Sequence, residues 1–330
     1  RDEYKTKRKN AKNDDEYRKW DSAQMATKRG VNALYGVLAK DGYGWGDMEM
    51  AQAITASARE AMRSVAFKSI ELGYEVIYGH TDSIFVKVKD TSDATLLCKK
   101  LNDYIQNEVF NNHVVLEFEK YAKSFFLSKK KNRYCGYLSW KDGKDIEDEF
   151  FVMGFEMKKS NETKLAKEVQ SKILKMVALG KTEEEVTKYA KAMYKLVKGG
   201  KYKSSSVIKQ SRLRRPLDEY DSIAGGSAGV LFYNQEIGTI NVGDSYYYYN
   251  VDNKGIKNFP RQYETKGRIR NVDYIAFKKL EEVIDNFPIN WVRLADSEIN
   301  KKVSLIYESL RWDLSAIAND GRQTTLDNWW

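Results

Sequence analysis

The apolar positions of this chain change period several times, and each change marks an element. Between 21 and 39 the residues Ala23, Ala26, Val31, Leu34 and Leu38 recur at helical spacing, which predicts a helix with Asp21 or Ser22 as its N-cap. Residues 1–20 carry charge on most faces and read as a solvated helix. Glycines 42, 44 and 46 break the pattern, and a second long helix follows over 48–72, closed by Gly73 in the C-cap position. The β-rich runs 74–78 and 84–88 flank Gly79-His80-Thr81-Asp82-Ser83 and predict a hairpin. A helix is expected over 93–110, then strands over 114–119, 124–127 and 133–139, with Asp142-Gly143 as a turn.

Beyond Gly154 the period returns to that of a helix, over 161–178 and again over 182–197, where Thr182-Glu183-Glu184-Glu185 is an N-terminal signature. The Gly-, Lys- and Ser-rich stretch 198–209 reads as exposed. A β element over 240–250 holds four consecutive tyrosines, helices are expected over 272–286 and 296–318, and 319–330 reads as a flexible tail. No internal repeat is visible. The pattern as a whole is that of an α+β chain.

Composition narrows the function classes. The 330 residues allow two or more domains, and 42% apolar content is enough to bury real cores. No apolar run approaches the roughly 20 residues that cross a bilayer. The charged N-terminal segment does not resemble a secretory signal, so a cytoplasmic protein without a membrane partner is expected. Cys98 and Cys135 lack CxxC spacing and form neither a disulfide framework nor a zinc site. A net charge of +9 points to a polyanionic partner, most simply nucleic acid. Charge alone is equally compatible with a well-solvated basic protein that has no such partner.

Two constellations carry chemistry. In Lys28-x-x-x-Asn32-x-x-Tyr35-Gly36, offsets of four and seven set a cation, an amide and an aromatic ring along one helical stripe. Such a face suits a phosphate and a base pair; the plainer alternative is a helix with one exposed lysine and a buried tyrosine. In Tyr78-Gly79-His80-Thr81-Asp82-Ser83 a carboxylate stands on a tight turn between strands, rigidly held as divalent-ion binding requires. The plainer alternative is an ordinary β-turn, for which Gly, Asp and Ser are common residues.

In this order, about fifty residues apart, the two segments resemble the family B DNA polymerases, whose helix motif reads KxxxNxxYG and whose hairpin motif reads YGDTDS. Downstream, Val115-Leu116-Glu117-Phe118-Glu119-Lys120 resembles the family's acidic strand. Lys129-Lys130-Lys131-Asn132-Arg133-Tyr134 resembles its KKRY segment with an inserted Asn, and Gly154-Phe155-Glu156-Met157-Lys158-Lys159-Ser160 its GxExxRR element. The likeness covers essentially the whole chain and fits best the small C-terminal piece of a split archaeal enzyme. It implies a helical fingers piece over 1–40, an antiparallel-sheet palm with packed helices over 41–127, a mostly helical thumb over 128–318 and a clamp-binding tail over 319–330.

The resemblance also implies roles. Lys28 would contact the incoming triphosphate and protonate the leaving pyrophosphate, while Asn32 and Tyr35 shape the pocket for the nascent base pair of the dNTP. Asp82 would ligate two magnesium ions, with Glu119 close by. Lys130, Lys131, Arg133, Tyr134, Lys158 and Lys159 would hold primer–template DNA. Phosphoryl transfer fits such a set, because it needs positioning and charge neutralisation more than a protein nucleophile.

Two departures stand out. His80 occupies the place of the first Asp of DTD, and imidazole is a poor ligand for hard magnesium. No DxxSLYP-like segment and no exonuclease acidic motif occur, so the second metal-binding aspartate is expected from a large N-terminal polymerase subunit. At the other end, Gln323-x-x-Leu326-x-x-Trp329-Trp330 matches the motif by which replication proteins dock on a sliding clamp, with Leu326 and the tryptophans as an apolar plug. The alternative is an aromatic terminus folded back on the thumb. Two functions compete: the C-terminal subunit of a template-directed DNA polymerase, and a catalytically degenerate DNA-binding, clamp-tethering subunit.

Overall fold

The computed structural model describes residues 1–40, 42, 44–110, 114–158, 161–220, 223, 225–252, 262–265, 268–271 and 273–318; for 158, 262–265 and 268–271 this is the backbone alone. They form two compact units, Arg1–Glu119 and Lys120–Trp330. Residue 127 lies inside the second unit, at the end of a strand. No helix among the described residues is long and apolar enough to cross a membrane.

The first unit starts with two helices where one charged helix and a later apolar one were expected. Helix α1 spans Asp2–Lys9 and α2 spans Asp14–Leu38. The break comes from Asn13, whose side chain accepts from the Glu16 backbone N–H at 2.8 Å and caps α2 well before the expected Asp21 or Ser22. The two helices are joined by Tyr4 and Trp20, with ring centroids 6.0 Å apart. Helix α3 (Met48–Glu71), capped by Asp47, ends at Gly73 in the left-handed region, φ +87°. Strands β1 (Glu75–His80) and β2 (Ser83–Lys87) form the expected hairpin, and α4 (Thr91–Tyr104) runs on into a π-helical turn over Ile105–Val109. Val65, Leu97, Leu101 and Ile105 make the core between these helices and the inner face of the hairpin.

The stretch 114–119 is not a strand. Among the described residues no neighbouring backbone ladder serves it; instead the Asn102 side chain donates to the Leu116 carbonyl at 2.9 Å and accepts from the Leu116 N–H at 2.8 Å. A hydrophobic alternation cannot make a strand without a partner.

The second unit opens with the antiparallel sheet β3 (Lys120–Leu127), β4 (Tyr134–Lys141) and β5 (Lys144–Met153). Strand β5 has no counterpart in the hydrophobic pattern, because Glu147, Asp148 and Glu149 interrupt its apolar residues. Its hairpin to β4 turns at Asp142-Gly143, both with positive φ. Helices α5 (Lys164–Ala178) and α6 (Glu183–Lys198) follow, capped by Thr163 and by a Thr182–Glu185 capping box. Leu165, Val169, Ile173, Val186, Ala190 and Val197 are fully buried in the main core, each such aliphatic side chain larger than alanine contributing about 1.5–3 kcal/mol.

Strand β6 (Lys209–Arg212), helix α7 (Gly226–Glu236), β7 (Ser245–Asn250), the hairpin β8 (Gln262–Thr265) with β9 (Arg268–Asn271), and β10 (Tyr274–Phe277) come next. The second sheet has the order β10-β7-β6. A helix over 272–286 is therefore overturned: its Tyr-Ile-Ala-Phe run pairs with the tyrosines of β7, and burial of β10 outweighs helical periodicity. The stretch 198–209 is not uniformly exposed either, since Val207 is buried. A short helix α8 (Trp291–Ala295) comes before the last expected helix, 296–318, which is broken into a π-helical turn over Asp296–Asn300, α9 (Lys301–Leu310) and α10 (Ser315–Ala318). The π turn delivers Glu298 into the interior, where it meets Lys209 Nζ at 2.8 Å and the Thr163 hydroxyl at 2.7 Å. Burial pulls the Lys209 ammonium down, but Glu298 outweighs it and leaves the group above its ordinary pKa.

Candidate functional site

Helix α2 carries the first constellation. Its N-terminal half is fixed to α1: Arg8 Nη1 donates to Asp21 Oδ1 at 2.8 Å, Gln24 Nε2 donates to the same oxygen at 3.1 Å, and Lys7 and Lys19 each stand 4.9 Å from the Trp20 ring centre. The Arg8 hydrogen bond, then that of Gln24, holds the Asp21 carboxyl below the usual carboxylate range. The C-terminal half is different. Lys28, Asn32 and Tyr35 share one stripe, as their spacing requires, and all three are exposed. Tyr35 is 40% exposed rather than buried, and Val31 and Leu34 beside it are more exposed still. In this structure Tyr35 is therefore not the buried tyrosine of the plainer alternative.

The hairpin carries the second. His80 pairs with Ser83, so the strands run further than the sequence suggests and the turn shrinks to Thr81-Asp82. Thr81 adopts φ +52°, a costly conformation for a β-branched residue that the closed hairpin imposes. Asp82 is thereby held exposed at the tip, with the Ser83 hydroxyl 3.4 Å from its Oδ1. His80 turns to its neighbours: its ring lies parallel to Tyr78, 6° between planes and 6.3 Å between centroids, with the Thr81 hydroxyl 3.1 Å from Nδ1.

Glu119 closes the first unit, at the end of the segment pinned by Asn102. Its neighbour Glu117 takes an ion pair from Lys5 at 3.1 Å. No group of three or more His, Cys, Asp or Glu side chains among the described residues is placed to hold a metal ion, so Asp82 and Glu119 are not joined in such a cluster. The donor chemistry is nonetheless selective. The Asp82 carboxylate fits a magnesium ion that takes its other ligands from water, phosphate and further carboxylates; the His80 imidazole does not fit.

In the second unit the lysine-rich segment forms the β3–β4 turn. Ser128 N–H donates to the Arg133 carbonyl at 2.9 Å, and Asn132, the inserted residue, adopts φ +63°. Gly154 presses against this turn: a Cβ there would lie 1.9 Å from the Asn132 carbonyl oxygen. The two segments lock through Arg133 Nη1 and Glu156 Oε1, 3.2 Å apart. Tyr134 packs against Phe125 and Phe151. Arg133 and Tyr134 are thus parts of the scaffold, whereas Lys130 and Lys131 stand exposed on the turn. The side chain of Lys158, and Lys159 altogether, lie outside the described residues, as do Gln323, Leu326, Trp329 and Trp330. Sequence reasoning missed Asn102 and Glu156 as partners, for nothing in a linear pattern reports which distant backbone or guanidinium a side chain will meet.

Comparison with known proteins gives a consistent result. The family model described as DNA polymerase family B matches residues 1–286. DNA polymerase 1 of Aeropyrum pernix is 28% identical over 323 residues, covering 93% of this chain and 31% of that protein. DNA polymerase 2 of the same organism is 28% identical over 207 residues, covering 63% of this chain and 24% of that protein. The chain therefore spans less than a third of the length of these curated relatives. The solved structure of the family B DNA polymerase from Pyrobaculum calidifontis superposes with a TM-score of 0.61 at 24% identity, over 92% of this chain and 36% of that one, a likeness of fold.

Proposed function

From the premise that this chain belongs to DNA polymerase family B, we propose that it is the C-terminal portion of a template-directed DNA polymerase and supplies part of its nucleotidyl-transfer site. The observation that carries this reading is the pairing, within one unit, of an exposed Lys28–Asn32–Tyr35 stripe on a braced helix with Asp82 at the tip of a closed hairpin. On this reading α1 and α2 are fingers, the rest of the first unit is palm, and the helices of the second unit form the thumb.

Lys28 binds the triphosphate of an incoming dNTP and hands a proton to the departing pyrophosphate oxygen. Asn32 and Tyr35 orient the base and sugar above it. Asp82 is the hard oxygen ligand that this chain offers to magnesium, which when bound neutralises charge at the transferring phosphate. One carboxylate is too few for a two-ion site, so further carboxylates come from another polymerase segment, with Glu119 as a nearby contributor. Lys130 and Lys131, set on a turn locked by Arg133 and Glu156, neutralise phosphates of the primer–template.

A second reading, a DNA-binding subunit without chemistry, is favoured by one observation only: His80 packs on Tyr78 where a carboxylate would be expected. Primer extension separates the two. The chain alone should extend nothing, and addition of the polypeptide bearing the remaining carboxylates should produce magnesium-dependent synthesis; robust extension by the chain alone would refute the shared site. The segment Gln323–Trp330 is proposed to dock on a sliding clamp. Calorimetry of the peptide GRQTTLDNWW against the clamp from the same source tests this, and an absence of heat at micromolar concentrations would remove it.

A further inference from the structure

Lys209 on β6 pairs with Tyr248 on β7, and Asn250 on β7 pairs with Tyr274 on β10. Residues two apart on a strand share a face, as do residues directly opposite, so these four side chains stand on one side of the second sheet. That side faces the π-helical turn, because Lys209 Nζ reaches Glu298 there at 2.8 Å. Asn250 is 3% exposed, and its backbone carbonyl accepts from the Asn290 N–H at 2.9 Å. Its side-chain amide is in a different position: among the described residues, neither Oδ1 nor Nδ2 has a hydrogen-bond partner. A cavity of about 10 Å³ lies beside it, between the sheet and the turn, with Lys209, Tyr248, Asn250, Tyr274, Ser297 and Glu298 in its wall.

We propose that this cavity is a binding site for one water molecule, which serves the Asn250 amide and ties β7 to the π turn. Size and charge select that occupant. The volume is about that of a single water-sized sphere, too small for an organic group or a hydrated ion. The Lys209 ammonium repels a bare cation and the Glu298 carboxylate repels an anion, while the pair together is neutral. Water both donates and accepts, as Asn250 Oδ1 and Nδ2 require. A buried amide without partners is costly, and a bound water removes that cost, which explains how a polar residue stands at an interior position of the sheet. The site belongs wholly to the second unit and does not depend on the reading of Lys28 and Asp82.

Two measurements on the full chain test the site. A crystal structure of the unsubstituted chain should show a single peak within about 3.2 Å of the Asn250 amide, unchanged by a bromide soak. Featureless density in the cavity, or a peak that bromide replaces, would overturn the water site. The second measurement is the melting temperature of Asn250→Leu, a side chain of similar outline with no polar atom. With a water in place the substitution gives up its hydrogen bonds, and the melting temperature should stay level or fall by a few degrees. In a dry cavity the same change would relieve an unserved amide and raise the melting temperature, a result that would also overturn the proposal. Should the leucine variant fail to fold, the crystal of the unsubstituted chain decides alone.

Discussion

Asn102 holds Leu116 by both ends of its amide, donating to the carbonyl at 2.9 Å and accepting from the N–H at 2.8 Å. The pair of bonds reproduces what a neighbouring strand would give, and it fixes the segment that carries Glu117 and Glu119. Replacing Asn102 with Ala leaves two backbone groups without these partners. A loss of about 1–3 kcal/mol in urea unfolding is expected, with hydrogen exchange accelerated first at 115–119. Unchanged exchange there would show that the segment is held by other means.

Gly154 makes a sharper prediction. Its φ of +72° and the 1.9 Å approach of a Cβ to the Asn132 carbonyl leave no room for a side chain. Gly154→Ala should cost more than about 3 kcal/mol, because backbone and not a flexible side chain has to move. Differential scanning calorimetry of the variant checks this, and a melting temperature equal to that of the parent would contradict the packing of the turn.

The division of labour within the lysine-rich turn is open to a salt titration. Lys130 and Lys131 are exposed, while Arg133 is engaged by Glu156. Changing both lysines to Ala should reduce the slope of log affinity against log salt by about 2, with no change in base preference. Changing Glu156 to Gln should act on stability instead. A salt slope untouched by the lysine changes would remove these residues from the DNA footprint.

How much of this was readable beforehand differs from element to element. The KxxxNxxYG helix, the hairpin and the helices capped by Thr163 and Thr182 follow from local rules: caps, period and turn chemistry act within a few residues. The misread segments share a different cause. Strand β10 looked helical because only its pairing with the β7 tyrosines makes it a strand. The stretch 114–119 looked like a strand because nothing in its own residues reveals that the Asn102 side chain, and not a neighbouring strand, would meet the Leu116 backbone. The Lys28 stripe and Asp82 were legible as types and spacings, but Tyr35's exposure and the turning of His80 toward Tyr78 depend on contacts made in space. The residues matched to the KKRY element divided in two, exposed lysines and half-buried scaffold, for the same reason.

The account stands on Asp82 and Lys28 serving one nucleotidyl-transfer site, and single-turnover primer extension by the chain with its completing polypeptide tests that most directly. With magnesium, Asp82→Ala should lower the rate by about 1,000-fold or more while primer–template affinity stays near that of the parent, and Lys28→Ala should slow the chemical step and weaken dNTP binding. Extension by the Asp82→Ala complex at the parental rate would contradict the assignment of Asp82 as a metal ligand, and with it the proposed site.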